Sequence, residues 1–439
     1  MDDTRLASLY RDHIDELARR TDDALRAAGR EHLLVASGVE KYRFLDDHPY
    51  PFTPNPHFLH WLPLTAHPHC WLAVTPGSKP LLAYYQPDDY WHLPPSDPSG
   101  WWVEAFDVRV IRDPAEAAKL LPPAAQCAIL GEADAAMPGY VPDNPPVVLD
   151  RLHWHRAYKT PYELALMRRS QRRAVPGHRA AEAAFRAGAS ELEIHRAYLA
   201  ATGHRDLDLP YGNIVALNEH GATLHYQHQD PAPPAESRSL LIDAGATWAG
   251  YATDITRSYA REAGPFQALV DAVDAEQRAL AAAVRPGTDY RELHLDCHRR
   301  LARVLRDAGV LRIAPDDAVA RGISSTFFPH GLGHLLGIQV HDVGGFQAGP
   351  DGGTRPKPDG HPFLRLTRTL EPGMVTTIEP GIYFIDSLLA KLRASDDADA
   401  VDWRTVDAFR PFGGIRIEDD VACTTGDPEN LTRDAFAEA

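Results

Sequence analysis

Apolar positions first recur at a helical period. Leu6, Leu9, Ile14, Leu17 and Leu25 follow that spacing, which predicts an amphipathic helix over residues 4–28 with Gly29 as its stop. His32-Leu-Leu-Val-Ala-Ser37 is a short continuous apolar run and reads as a buried strand. Cys70-Trp-Leu-Ala-Val74 and Pro80-Leu-Leu-Ala-Tyr-Tyr85 predict a strand pair turning at Pro76-Gly77. Further strands are expected at Val108–Ile111 and Cys127–Leu130, with a helix over Pro114–Leu121 between them. Residues 46–63 carry Pro49, Pro51, Pro54, Pro56 and Pro63 among aromatic side chains, a pattern that predicts no regular structure. A second proline patch runs from Pro142 to Pro146. Lys159-Thr-Pro-Tyr-Glu163 is then a helix start, with Thr160 as N-cap, Pro161 at the first position and Glu163 closing a capping box. Helices over 161–187, 190–202, 265–284 and 289–308 alternate with β-rich runs. The expected organisation is α/β (α+β), a smaller α/β domain over 1–155 followed by a larger one over 156–439.

Four acids interrupt the β-rich runs. Leu240-Leu-Ile-Asp243-Ala-Gly245 and Tyr251-Ala-Thr-Asp254-Ile-Thr-Arg-Ser258 predict a hairpin turning through Gly245, Ala246 and Gly250. Val375-Thr-Thr-Ile-Glu379-Pro-Gly-Ile-Tyr383 and Gly413-Gly-Ile-Arg-Ile-Glu418-Asp-Asp-Val421 repeat the pattern with glutamates, which hints at a duplication of strand pairs. Taken singly, Asp243 or Asp254 reads equally well as a cap or a turn residue. Together the acids repel, and unpaired buried charge is costly, so something positive belongs between them. Phe327-Phe-Pro-His330-Gly-Leu-Gly-His334 and Val340-His-Asp-Val-Gly-Gly345 lie between the two pairs. Four carboxylates with one or more histidines form a hard, oxygen-rich set suited to two divalent cations. A closed thiolate site is excluded by the lack of cysteine ligands.

Composition narrows the class. A chain of 439 residues, 44% hydrophobic and 24% charged, predicts two or three domains with a sizeable core. The net charge of −16, with no lysine- or arginine-rich block, argues against a nucleic-acid or anionic-membrane surface and reads as a solvated exterior. No apolar region follows Met1, and no run approaches the ~20 residues of a membrane span, so neither signal peptide nor span is expected. Cys70, Cys127, Cys297 and Cys423 lie far apart and read as free thiols of a cytoplasmic protein. Cys423 reads as a small buried hydrophobe.

At the acid and histidine motifs the chain resembles the metallopeptidases of the pita-bread fold, which include methionine aminopeptidases, aminopeptidase P and prolidases. Phe44-Leu-Asp-Asp-His-Pro-Tyr-Pro-Phe52 extends the likeness to the N-terminal domain, so nearly the whole chain resembles a bacterial-type prolidase, the group that includes organophosphorus acid anhydrolases. The resemblance implies a C-terminal pita-bread domain over 156–439 and metal ligands at Asp243, Asp254, His334, Glu379 and Glu418. It implies Asp254 and Glu418 as bridges between two ions, Asp243 on one ion, and His334 with Glu379 on the other. The implied reaction is hydrolysis of Xaa-Pro dipeptides by a hydroxide bridging the ions, releasing proline, with Glu379 as general base. Oxygen-dominated ligation with one imidazole favours Mn2+, and Co2+ or Zn2+ also fits.

The same resemblance makes His225 and His341 substrate-lining residues that stabilise the tetrahedral intermediate, and sets His330 behind the ligands. Arg365 matches the arginine that recognises the dipeptide carboxylate, with Arg368 as its competitor. Tyr211 resembles a residue shaping the pocket for the N-terminal side chain, and Val340 is a candidate wall for the proline ring. Arg416 shares a strand face with Glu418 and is a candidate to orient that carboxylate, a plain ion pair being the alternative. Competing activities are an aminopeptidase P acting on longer peptides, a side activity on organophosphate esters, and a non-enzymatic binding module. A homodimer is implied, with the loop from Asp46 to Pro56 as the candidate contact.

Overall fold

The computed structural model describes residues 3–439. The chain forms two compact units, Met1–Leu166 with Ala249–Tyr251 and Gln347–Gly353, and Met167–Trp248 with Ala252–Phe346 and Thr354–Ala439.

In the first unit the leading helix runs Asp3–Ala28 and stops where Gly29 turns to φ +62. A mixed five-stranded sheet has the spatial order Asp107–Ile111, Leu81–Tyr85, Trp71–Val74, His32–Ala36, Cys127–Leu130. His32–Ala36 pairs antiparallel with Trp71–Val74 and parallel with Cys127–Leu130. One face of this sheet builds a core from Leu34, Ala36, Trp71, Ala73, Ala83 and Ile129. The proline-rich stretch is not wholly irregular, because Pro56–Trp61 is a helix. Asn55 caps it by accepting from His57 N at 2.9 Å, and Pro56 sits at the helix start, where its missing N–H costs nothing. Residues Pro114–Lys119 wind as a 3₁₀ helix rather than an α-helix. The capping box at Thr160 forms as expected, with Thr160 N donating to Glu163 Oε2 at 2.8 Å and Glu163 N to Thr160 Oγ1 at 3.4 Å.

The second unit contains most of helix Pro161–Ala187 and the helices Glu191–Thr202, Pro265–Ala282 and Tyr290–Asp307. Ser239–Asp243 pairs antiparallel with both Ile214–Leu217 and Thr256–Ala260, Asp243 opposite Thr256. Val375–Ile378 pairs antiparallel with Asp419–Ala422, and Gly381–Tyr383 with Gly414–Arg416. The acids fall where this pairing ends or breaks. Asp243 closes its strand, Asp254 precedes Thr256 by two residues, Glu379 separates Ile378 from Gly381, and Glu418 separates Arg416 from Asp419. A bridge between Thr256 and Glu418, with Glu418 N donating to Thr256 O at 3.0 Å, joins the two strand systems at that point. Gly245 is required in the hairpin turn, since a Cβ there would collide with the Thr253 carbonyl. The four cysteines are free and buried.

Candidate metal centre and active site

Breaks in strand pairing turn the acid side chains toward one another. Asp243 and Asp254 each lie 2.7 Å from the Tyr211 hydroxyl, on Oδ1 in both cases. Asp254 Oδ2 is 3.4 Å from His334 Nε2, which is 3.7 Å from Glu379 Oε1. Ligand atoms of Asp254, His334 and Glu418 lie within 4.8 Å of one another. Asp254 therefore stands between Asp243 on one side and His334 with Glu379 on the other. Asp243, Asp254, His334 and Glu418 are buried, and Glu379 is half-buried.

Acceptors outnumber donors in this cage. A phenol carries a single hydrogen, so Tyr211 can satisfy only one of the two carboxylate oxygens it touches. Glu418 Oε2 accepts from Thr256 Oγ1 at 2.6 Å, and Arg416 supplies the cage with its fixed positive charge. Burial first, and then the neighbouring carboxylates, push Glu418 well above the usual carboxylate range. Burial likewise raises Asp243, against the pull of Arg416, and raises Glu379, against the pull of His334. Burial also opposes ionisation of Asp254 and His334. Their mutual hydrogen bond wins, lowering the aspartate and raising the imidazole to about 9. A proton on His334 serves where positive charge is required. Such a donor set fits divalent cations held by oxygen with one imidazole.

A second layer fixes these groups. Arg416 donates to Asp243 Oδ2 at 2.7 Å, to the Tyr383 hydroxyl at 2.8 Å and to Thr256 Oγ1 at 3.2 Å. Its direct carboxylate partner is thus Asp243 rather than Glu418, which it reaches only through Thr256. Tyr383 lies 2.8 Å from His330 Nε2, and His330 Nδ1 is 2.8 Å from the Gly331 carbonyl. Burial holds His330 neutral, with its pKa lowered to about 3, so Nδ1–H donates to that carbonyl and Nε2 accepts from Tyr383. His330 is also 3.7 Å from Glu379. Asp420 accepts from Asp254 N at 3.0 Å and from Gln171. Asp419, between two site-facing acids, turns to the other side and meets Arg257 at 2.8 Å and Arg433 at 2.7 Å. That alternation is the strand period.

The expected substrate residues gather on the solvent side. The His341 ring stands perpendicular to His334 with centroids 4.4 Å apart, and it is exposed, as are His225 and Arg365. Although part of the His341 side chain meets solvent, desolvation of its ring, then His334, Arg365 and His225, lower it to about 4 against the pull of Asp254. Arg368, the competing arginine, is buried and lies 4.0 Å from Glu371. Val340 is half-buried. The Tyr211 hydroxyl is engaged by Asp243 and Asp254. Sequence reasoning did not find Tyr383, Thr256 or Asp420. Only Asp420 carries a signal, as the third acid of a charged triplet inside a β-rich run.

The chain matches known proteins over nearly its whole length. Residues 8–154 match the family described as "Xaa-Pro dipeptidase, N-terminal domain", and residues 165–425 match "Metallopeptidase family M24". The chain is 57% identical over 436 residues to the Xaa-Pro dipeptidase of Xanthomonas oryzae pv. oryzae (strain MAFF 311018), covering 99% of each. It is 55% identical to that of Stenotrophomonas maltophilia (strain K279a), covering 98% of each. Among solved structures, Zn-substituted E. coli aminopeptidase P in complex with product superposes with a TM-score of 0.72 at 25% identity, over 96% of this chain and 95% of that one. Proline aminopeptidase P II from Yersinia pestis shares the fold, with a TM-score of 0.72 at 24% identity over 98% of both chains.

Proposed function

This chain belongs to metallopeptidase family M24 as a prolidase-type enzyme of the pita-bread fold, and from that premise we propose that it hydrolyses Xaa-Pro dipeptides with release of proline. The observation that carries the reading is the cage of Asp243, Asp254, His334, Glu379 and Glu418, closed by an arginine and open toward exposed His225, His341 and Arg365.

In this reading the five cage residues would hold two divalent ions, Mn2+ by hardness, with Co2+ or Zn2+ as fitting substitutes. Bound there, such ions would supply Lewis acidity toward the scissile carbonyl and would acidify the attacking water. The remaining work falls to the chain. Glu379, raised by burial, accepts the proton of the attacking water and passes it toward the leaving nitrogen. His330, fixed by Gly331 and Tyr383, keeps that carboxylate in place. His225 and His341 face the tetrahedral intermediate, and Arg365 takes the substrate carboxylate through its planar fork. Tetrahedral phosphorus resembles the same transition state, which supports a side activity on organophosphate esters.

Phe44 and Leu45, exposed at 90% and 91% just before the loop from Asp46 to Pro56, support that loop as the homodimer contact through which the N-terminal domain of one chain reaches towards its neighbour's site. No helix among the described residues is long and apolar enough to cross a membrane. The buried free thiols support a cytoplasmic location.

The deciding measurement compares turnover of Ala-Pro with Ala-Pro-Ala by the Mn2+-loaded enzyme. Preference for the dipeptide is expected. Preference for the tripeptide would instead make the activity that of an aminopeptidase P.

A further inference from the structure

Away from the acidic cage, three imidazoles converge. His294 and His298 lie one turn apart on helix Tyr290–Asp307, and His361 comes from the segment leading to Arg365. One ring nitrogen from each lies within 4.8 Å of the others. His294 Nε2 and His361 Nδ1 are 3.0 Å apart. The ring centroids of His294 and His298 are separated by 4.8 Å, and those of His298 and His361 by 4.6 Å. His294 and His298 are each 1% exposed, and His361 is half-buried.

The hydrogen bonding of this cluster is incomplete. Ser324 Oγ occupies His298 Nδ1 at 3.0 Å, and His298 Nε2 is buried without a partner, as is His294 Nδ1. Buried polar nitrogens are ordinarily satisfied. Burial holds both helix imidazoles far below the usual histidine range, to about 2 and about 3, so both are neutral at neutral pH and each carries one ring-nitrogen lone pair. Among the described residues no carboxylate joins the set, which separates it chemically from the cage.

We propose that His294, His298 and His361 form a further cation site that takes a borderline divalent transition metal, Zn2+ in the first instance, with water at its open position. Three neutral imidazoles are a borderline-soft donor set, which prefers Zn2+, Ni2+ or Cu2+ over Mn2+. Tetrahedral metal–nitrogen distances of ~2.0–2.1 Å set ligand nitrogens roughly 3.3 Å apart, so the His294–His361 pair, at 3.0 Å, would open slightly to admit the ion, and His361, on a loop, has the freedom to do so. The ion would tie down a segment that matters for catalysis. His361 lies four residues before Arg365, and Leu364 packs so closely on Gly331 that a Cβ there would meet its Cα at 2.9 Å. The Phe328 ring stands between His298, at 4.9 Å, and His330, at 4.7 Å. The role is therefore positional, holding the arginine-bearing segment against the helix.

The test counts ions and does not depend on turnover. Wild type, His361→Asn and Asp254→Asn are stripped with chelator, reloaded with Zn2+, and analysed for metal per chain. His361→Asn should bind one ion fewer than wild type, whereas Asp254→Asn should retain that ion. Cu2+-loaded Asp254→Asn should also show hyperfine coupling to several nitrogens in electron paramagnetic resonance, lost when His361→Asn is added. Equal Zn2+ counts in wild type and His361→Asn, or a Cu2+ spectrum insensitive to His361, would overturn the site. A failed cage would show instead as Asp254→Asn matching wild type in turnover.

Discussion

Arg416 donates to Asp243 across 2.7 Å, with both side chains almost wholly shielded from solvent. One guanidinium also reaches Tyr383 and Thr256, so a single rigid fork connects a proposed ligand, the hydroxyl behind His330, and the threonine that holds Glu418. Lysine has a point charge and cannot serve three partners at fixed angles. Arg416→Lys should weaken metal affinity by about 10–100-fold, the scale for losing a partner of a metal ligand, as read by competition with a chelator of known affinity. Unchanged affinity would leave Arg416 a plain ion pair.

Asp254 stands between the two halves of the cage, so its loss should disable both. Asp254→Asn is expected to abolish metal-dependent cleavage of Ala-Pro while keeping the circular dichroism of the wild type. Normal turnover in this variant would refute the ligand assignment.

Arg365 is exposed and its charge bears on His341, which supports the proposal that it takes the substrate carboxylate. A charge-assisted hydrogen bond is worth about 1.5–3 kcal/mol, so Arg365→Ala should raise KM for Ala-Pro by roughly 10–100-fold. The KM for Ala-Pro-Ala should move far less. Equal effects on the two substrates would remove the carboxylate role.

The cage also sets a pH dependence. Asp243, Glu379 and Glu418 have folded pKa values raised above those of the unfolded chain, and so does His334, at about 9. Each binds its proton more tightly when folded, so stability is full below the unfolded pKa and falls as pH rises through the folded one. In chelator, the melting temperature should therefore decline between pH 6 and pH 9. Saturation with Mn2+ should flatten that decline, and metal binding near pH 8 should release protons, measurable by calorimetry in buffers of different ionisation enthalpy. A chelated protein whose melting temperature rises over this range would contradict the sign.

Glu163 is buried in the first unit, where it accepts from Thr160 N and, at 3.2 Å, from the Tyr251 hydroxyl, with His60 3.3 Å away. Glu163→Ala strands those donors and should cost roughly 3 kcal/mol in urea unfolding, the scale for breaking a buried pair. Thr160→Ala, which removes the cap and the 2.8 Å partner of His13 Nδ1 but leaves the buried carboxylate in place, should cost less, about 1–2 kcal/mol. Similar costs for the two variants would mean that Glu163 acts only as a cap.

Much was legible in the order of residues. The helix stop at Gly29, the capping box at Thr160 and Glu163, and the strands bearing Asp243 and Thr256 are consequences of periods and caps that span a few positions. Pro56 shows the limit of that reading: five prolines argued against order, but one of them stood directly after the capping Asn55 and began a helix.

The sequence by itself determined which acids interrupt apolar runs, and that buried like charges require a cation, because burial patterns and charge are local properties of the chain. Only the tertiary structure decided that Arg416 meets Asp243, that Tyr211 spends its hydroxyl on two aspartates, and that His361 closes on His294 and His298. Each of those contacts joins residues far apart in the chain, and they depend on where strand pairing breaks and on how a loop returns to a helix. Spacing along the chain carries no record of such closures.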